Sequence, residues 1–374
     1  MTSLSSNKRR FQLSPINRRR LNNFKANKRG YVSFWILCIL FLISLFAELI
    51  ANDRPILASY KGELLFPLLI DYPEEKFGGF LAETIYLDPA ISNEIEAHGW
   101  IIWPLIKYGQ KTVNQNPPVP LPSPPTWLLD NTVCQEKAAF SGGPNCADLS
   151  WNWLGTDKHG YDVLARVIYG FRLSLLFALI LSCFASLIGI VAGAVQGYFG
   201  GKVDLIFQRI IEIWMSIPQL YLIIILSAFF APSFFNLLSI LIFFSWIGLV
   251  GVVRAEFLRA RNFEYVRAAR ALGLSNIKIM FRHIMPNAMV ATVTYLPFTI
   301  GGAITTLTSL DFLGFGMPPG TPSLGELVMQ GRDYIHTAPW LGLTAFCVLS
   351  LMMSLLVFIG EAVRDAFDPR KTFS

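Results

Sequence analysis

Forty-one consecutive residues, from Ile213 to Val253, carry no charge. About 20 apolar residues of helix cross a hydrocarbon slab, so this run belongs in a membrane and is too long for one crossing. Ala231-Pro232-Ser233-Phe234-Phe235-Asn236 interrupts it; proline lacks the N–H and its ring clashes with the preceding turn. The run reads as two spans joined by a tight outside turn. The same test finds Tyr31 to Ile50, with Glu48 its only charge, and the charge-free stretches Leu173 to Tyr198, Asn287 to Leu310 and Pro339 to Gly360. The fold class predicted is an all-α polytopic membrane protein with six transmembrane helices. Composition agrees: 15% of residues are charged, against about 25% in soluble domains, which disfavours a cytosolic enzyme, a disordered chain and a secreted disulfide scaffold.

Charge placement predicts orientation. Residues 1–30 carry Lys8, Arg9, Arg10, Arg18, Arg19, Arg20, Lys25, Lys28 and Arg29 without an acid. The loop after the fourth span carries Arg254, Arg259, Arg261, Arg267, Arg270, Lys278 and Arg282 against Glu256 and Glu264. Both segments are expected in the cytoplasm, and six spans then put both termini there. The basic start has the composition of a transit peptide, but the apolar stretch behind it is longer than a signal-peptide core and no A-x-A site follows. An uncleaved first helix behind a basic tail is expected. Residues 51–165 carry seven basic and fourteen acidic residues, a balance of −7. The overall +6 therefore marks two sides of a membrane, and nucleic acid is not needed to explain it.

Four regions follow: a basic tail (1–30), the first helix (31–50), a periplasmic insert (51–165) and a five-helix core (166–374) with a cytoplasmic loop at 254–286. In the insert, the proline-dense strap from Asn116 to Pro125 should be extended, within a small cap of short elements. Cys134 and Cys146 lie twelve positions apart there; an oxidising periplasm would let them pair, and two free thiols are the alternative. No histidine stands at ligand spacing beside them, so no metal site is expected.

The spans lack the mid-membrane ionisable residues of ion-coupled carriers; Glu48, Arg172, Glu212, Asp311 and Glu361 sit at span ends, where snorkelling suffices. Gly201-Lys202 is followed by Val203, without the Ser/Thr of a P-loop, and neither H-E-x-x-H nor G-x-S-x-G occurs. Active transport would draw its energy from another chain. Ala185, Gly189, Gly193 and Gly197 recur every four residues, a small-residue face for close helix approach, in a subunit or bundle interface. Pro218 and Pro297 should kink the third and fifth spans.

The loop Phe263 to Asn287 reads FEYVRAARALGLSNIKIMFRHIMPN. Glu264 to Leu272 is a helical stretch in which Glu264, Arg267 and Arg270 form a polar line. Ala268, Ala269 and Ala271 keep it slim, and Gly273 can end it in the left-handed conformation. Ile277, Met280, Phe281 and Ile284 supply an apolar face for a second helix, stopped by Pro286. Such an element can enter a partner's cleft; a basic loop resting on anionic lipid headgroups would not need the Ala-Ala-x-x-x-Gly order.

Ala268-Ala269-Arg270-Ala271-Leu272-Gly273 through His283-Ile284-Met285-Pro286 resembles the EAA loop of ABC-type import permeases, with Arg267 where the motif has Glu. Trp153-Leu154-Gly155-Thr156-Asp157-Lys158-His159-Gly160-Tyr161-Asp162-Val163-Leu164-Ala165-Arg166 resembles the signature of the dipeptide/oligopeptide C-type permeases, with Tyr161 replacing the usual Arg. Ser309-Leu310-Asp311-Phe312-Leu313-Gly314-Phe315-Gly316 and Thr321-Pro322-Ser323-Leu324-Gly325-Glu326 are similar to that subfamily's last external loop. The insert, with Phe77-Gly78-Gly79-Phe80, Glu94-Ile95-Glu96-Ala97 and Gly99-Trp100, is similar to that of Yej-type permeases.

The resemblance implies a MetI-like fold and import of peptides, including microcin C, across a bacterial inner membrane. It implies a second homologous permease, two ABC ATPases holding ATP and Mg, and a periplasmic peptide-binding protein, with no cofactor bound by this chain. It assigns ATPase coupling to Glu264, Arg267, Ala268, Ala269, Arg270, Gly273, His283 and Pro286. A proton-coupled transporter and a membrane receptor or scaffold are the competing classes.

Overall fold

The computed structural model describes residues 14–114, 117, 119–129 and 151–368, apart from the side chains of 227 and 228. Cys134 and Cys146 lie outside the described residues. Helix α1 (Pro15–Ala26) leads into α2 (Lys28–Leu45), whose cap is Asn27: its Oδ1 accepts from the Gly30 amide at 3.2 Å. The expected first span, 31–50, is corrected at both ends. It starts three residues earlier and breaks at Phe46, before the short α3 (Ala47–Ile50). The break turns Glu48 toward Arg172, and the two form a bidentate pair with both bonds at 2.9 Å. These two charges are satisfied by each other, where snorkelling alone was expected.

The insert holds a three-stranded antiparallel sheet, with β1 (Leu57–Tyr60) between β2 (Glu63–Leu65) and β3 (Gly99–Ile102). Lys61 and Gly62 join β1 to β2, both at positive φ, as a tight hairpin turn requires. Helix α4 (Pro89–His98), capped by Asp88, lays Ile91 and Ile95 against Ala58, Tyr60, Leu65, Phe77 and Tyr86. The described residues of the proline strap form neither helix nor strand, and a single 3₁₀ turn, Thr126–Leu128, follows it.

The core follows as α5 (Val163–Phe199), α6 (Gly201–Ser216), α7 (Gln219–Phe229), α8 (Phe234–Ser245), α9 (Ile247–Ala260), α10 (Glu264–Ala271), α11 (Asn276–Ile279), α12 (Met285–Phe312), α13 (Leu324–Asp333) and α14 (Pro339–Phe367). Among the described residues five segments are long and apolar enough to span: 28–45, 163–199, 234–260, 276–312 and 339–367. The α6–α7 pair, bent by 70°, is the sixth if it counts as one. Pro218 therefore does not kink a continuous third span but divides it. The proline removes an amide from the ladder, and Ile213–Ser216 closes a helix that starts at Gly201. Pro297 lies inside the unbroken α12. Pro286 is corrected too: it does not stop a helix. It lies at the second position of α12, inside a helical run that a π turn (Met280–Ile284) carries on from α11.

Phe177, Leu241, Ile304, Leu307, Leu324 and Met352 lie at the centre of the bundle, all fully buried. The first and last spans pack together. Asn27 Nδ2 donates to Asp365 Oδ2 at 3.2 Å, and the Arg20 guanidinium lies 4.5 Å from the Phe367 ring centroid. The small-residue face of α5 packs on α9 of the same chain, which resolves the subunit-or-bundle alternative as a bundle contact. A Cβ on Gly189 would lie 2.6 Å from Trp246 O, one on Gly193 2.8 Å from Val250 O, and one on Gly197 2.5 Å from Phe257 Cβ. Backbone meets backbone along this seam, so no flexible side-chain end can yield. Gly193→Leu is expected to cost about 1–3 kcal/mol and to lower the detergent-purified protein's melting temperature. Gly248→Ala, where an added Cβ meets nothing within 4 Å, should not lower it.

Candidate functional site

The loop after α9 folds back onto the ends of α5 and α9. Val266 and Ala269 of α10 are buried with Tyr198, Phe257, Ile279 and Ile284. Helix α10 ends in a Schellman motif: the Gly273 amide donates to Arg270 O at 3.0 Å and the Leu274 amide to Ala269 O at 3.2 Å, with Gly273 at φ 77°. Only a residue without Cβ takes that conformation without strain. The Tyr198 hydroxyl donates to Asn276 Oδ1 at 2.7 Å and accepts from Arg270 Nη2 at 3.4 Å. Arg261 Nη1 donates to Gly197 O at 3.4 Å. The last turn of α5 is thus tied to both pieces of the loop.

The predicted coupling residues divide. Glu264, Arg267, Ala268 and Gly273 are exposed, and among the described residues no ion pair joins Glu264 to Arg267. Arg270 is exposed but held over the Tyr198 ring. Ala269 faces inward and packs, His283 is half-buried in the π turn, and Pro286 is exposed. Beside them stand three apolar side chains left to solvent: Leu272 at 81% exposure, Ile277 at 69% and Phe281 at 57%. Leu272 was read in the sequence only as the end of a helix; its exposure makes it part of the same surface.

A cleft of about 820 Å³ opens in the span region between α5, the α6–α7 bend, α9 and α12. Ser186, Gln208, Gln219, Tyr295, Thr299 and Thr306 are among its polar lining residues, and no charged side chain lines it. Sequence reasoning could not separate these residues from packing residues; the Pro218 break was the one local signal.

A third arrangement went unread as structure. Arg166, fully buried, donates from Nη1 to Asp157 Oδ2 at 2.9 Å, and from Nη2 to Glu326 Oε2 at 2.6 Å and Thr321 O at 2.9 Å. Gln330 Nε2 bridges the two carboxylates at 3.3 and 3.2 Å. Asp157 also accepts from the amides of His159 and Tyr161, and the Tyr161 ring lies against the guanidinium. The network ties the start of α5 to α13. Asp311, expected at a solvated span end, is instead buried, with Oδ1 accepting from the Met317 amide at 2.7 Å. Asp162 caps α5 through the Ala165 amide and accepts from Asn152 Nδ2 at 2.7 Å; burial nevertheless pushes its carboxyl up to about 6.

Geometry and motifs together define a membrane-embedded transport subunit. The sequence profile of the family described as binding-protein-dependent transport system inner membrane component matches residues 167–373, and the chain belongs to that family. A second profile, the N-terminal transmembrane domain of oligopeptide transport permease C, matches residues 17–63. Among individual proteins, the chain is 62% identical over 96% of its length, and 94% of the relative's, to the peptidoglycan transport system permease protein YejE of Agrobacterium fabrum. It is 52% identical over 96% of its length, and 99% of the relative's, to the inner membrane ABC transporter permease protein YejE of Escherichia coli. The oligopeptide transport system permease protein OppC of Lactococcus lactis is 35% identical over 58% of this chain and 75% of its own.

Replacing Arg166 by Met leaves two carboxylates facing each other without a counter-charge, a loss of about 3–5 kcal/mol, measurable as reduced thermal stability. The Asp162 shift has a defined sign. A carboxyl whose folded pKa is raised binds its proton more tightly in the folded protein, so its contribution to stability is fully present below about 4. It is lost as pH rises toward about 6. Thermal melts between these limits should show that loss, in the direction linkage requires.

Proposed function

We propose that this chain imports peptides from periplasm to cytoplasm as one permease subunit of an ABC importer. A second, homologous permease completes the pathway, two ATPase subunits holding ATP and Mg supply the energy, and a periplasmic binding protein delivers the peptide. The N- and C-termini lie in the cytoplasm. The observation that carries this reading is the loop surface of Leu272, Ile277 and Phe281, exposed beside Glu264 and Arg267. A sizeable apolar patch with a charged rim is a protein contact, and this one sits where a force applied to it reaches α5, α9 and α12 through buried contacts. Coupling requires that the ATPases bind this surface differently in the inward- and outward-facing states.

The charge-free cleft supports a passive pathway over a proton-coupled carrier, which places ionisable residues in mid-membrane. Cargo follows from the relatives: one is named a peptidoglycan transport permease and others oligopeptide or dipeptide permeases. Wall-derived peptides, short oligopeptides and the peptide antibiotic microcin C are the substrates to test.

The experiment is mild-detergent purification of the tagged chain from its own cells. Stoichiometric P-loop ATPases support the reading; a chain that retains none argues for a receptor or scaffold. Leu272→Glu should lower ATPase recovery about tenfold or more, as loss of an anchor residue does. Gly273→Arg should abolish peptide uptake with the chain still inserted. The space around Gly273 is open, since an added Cβ would meet nothing within 4 Å. Gly273→Ala therefore carries only the strain of a left-handed residue, about 1–2 kcal/mol, and should retain partial uptake.

A further inference from the structure

Polar groups inside the spans mostly satisfy themselves. Thr299, Thr305 and Thr306 donate to carbonyls three or four residues back, and the Trp246 indole donates to Phe243 O at 2.9 Å. Two buried groups on the cleft wall do not. Ser182 is 3% exposed and lines the cleft, yet its hydroxyl has no hydrogen-bond partner. The Trp214 indole Nε1 is buried and unpartnered as well, although its ring is fixed by Phe243 and Phe244, with centroids at 4.7 and 5.6 Å. An unmade bond in so dry a place is costly, and many orphaned groups of this kind belong to binding sites.

The helix break adds to this set. Helix α7 begins after Pro218, and its first intrahelical bonds are the Tyr221 and Leu222 amides to Pro218 O. The amides of Gln219 and Leu220 precede that ladder and have no acceptor within the helix. Gln219 and Pro218 both line the cleft. Broken helices in transporters place such groups at the substrate. The remaining wall offers width and no charge: Gly248, Gly251 and Gly302 leave open space where a side chain would stand.

We propose that this cleft is a subsite for the peptide main chain. The Trp214 indole N–H, the Ser182 hydroxyl and the amides opening α7 donate to the carbonyl oxygens of a passing peptide. The inference rests on the peptide-import reading and adds which atoms of the peptide are recognised. A wall that carries donors and no charge reads the backbone that all peptides share and does not sort their side chains by sign. Each bond is made only while a peptide is present, and the binding protein contributes selectivity on its own side.

The test uses the complete importer, with its ATPases and binding protein, in proteoliposomes. Uptake of trialanine, Ala-Lys-Ala and Ala-Glu-Ala is measured for the wild type, Trp214→Phe and Ser182→Ala. The phenylalanine keeps a ring against Phe243 and Phe244 and removes only the donor. Each variant is expected to lower kcat/KM about three- to tenfold, the value of one hydrogen bond, by the same factor for all three peptides. Melting temperature should be no lower than the wild type's, and ATPase recovery should match it. Unchanged kcat/KM in both variants overturns the subsite, as does a loss confined to one charge class or a loss that tracks melting temperature. A wild-type importer that takes up none of the three peptides overturns the import reading, and the subsite with it.

Discussion

Lipid gives helices no hydrophobic reason to associate, so a membrane bundle holds together through close packing. Here that packing is the seam of α5 on α9, where Gly189, Gly193 and Gly197 admit the opposing backbone to distances a Cβ would forbid. The helix that carries the seam has 37 residues, a rod of about 55 Å. Near its N-terminal end Arg166 holds α13, its middle forms one wall of the cleft, and its C-terminal end bonds Asn276 through Tyr198. The opposing helix, α9, forms another wall and then leads into the 263–287 loop. Buried charge network, cleft and loop therefore share one pair of helices.

Charge follows the same axis. The bilayer tolerates few ions at its centre, and the cleft carries none, while paired charges collect toward the ends. Glu48 meets Arg172, Arg166 meets two carboxylates, and Asp204 meets Arg254 in a bidentate pair at 2.5 and 2.6 Å. Glu48–Arg172, Arg166–Glu326 and Asp204–Arg254 each cross between elements distant in sequence, so each fixes where one helix ends against another. The seam supplies proximity, and the ion pairs supply position along the axis.

Much of this was legible because the membrane simplifies the code. Charge-free runs gave the spans, and every fourth small residue from Ala185 to Gly197 gave a packing face whose partner alone was open. Gly273 announced a helix end, and its Schellman bonds follow from the chemistry of that one residue. What stayed hidden depended on three-dimensional meeting. Asp157, Arg166 and Glu326 were visible as motif letters, but nothing in their spacing says that residues 160 apart share a hydrogen bond. Proline was misread where context decides its effect: Pro286 follows a π turn inside a continuing helix, whereas Pro218 is a break between α6 and α7. The cleft had no signature because nothing in the spacing of Ser182 and Trp214 tells a wall residue from a packing residue.

The π turn at Met280–Ile284 makes α11 and α12 one continuous rod from Asn276 to Phe312. Along a rod each residue advances the azimuth by about 100°, and a π turn is a helix with an extra residue absorbed into its winding. The compass bearing of Ile277 relative to the cleft wall is thus set by a count of residues and by nothing that a side-chain exchange can restore. The sheet of the insert, by contrast, packs on a small core of its own. Between 276 and 312 the chain is indexed like a screw thread, and a single inserted or deleted residue there would turn the loop's apolar face away from whatever it meets.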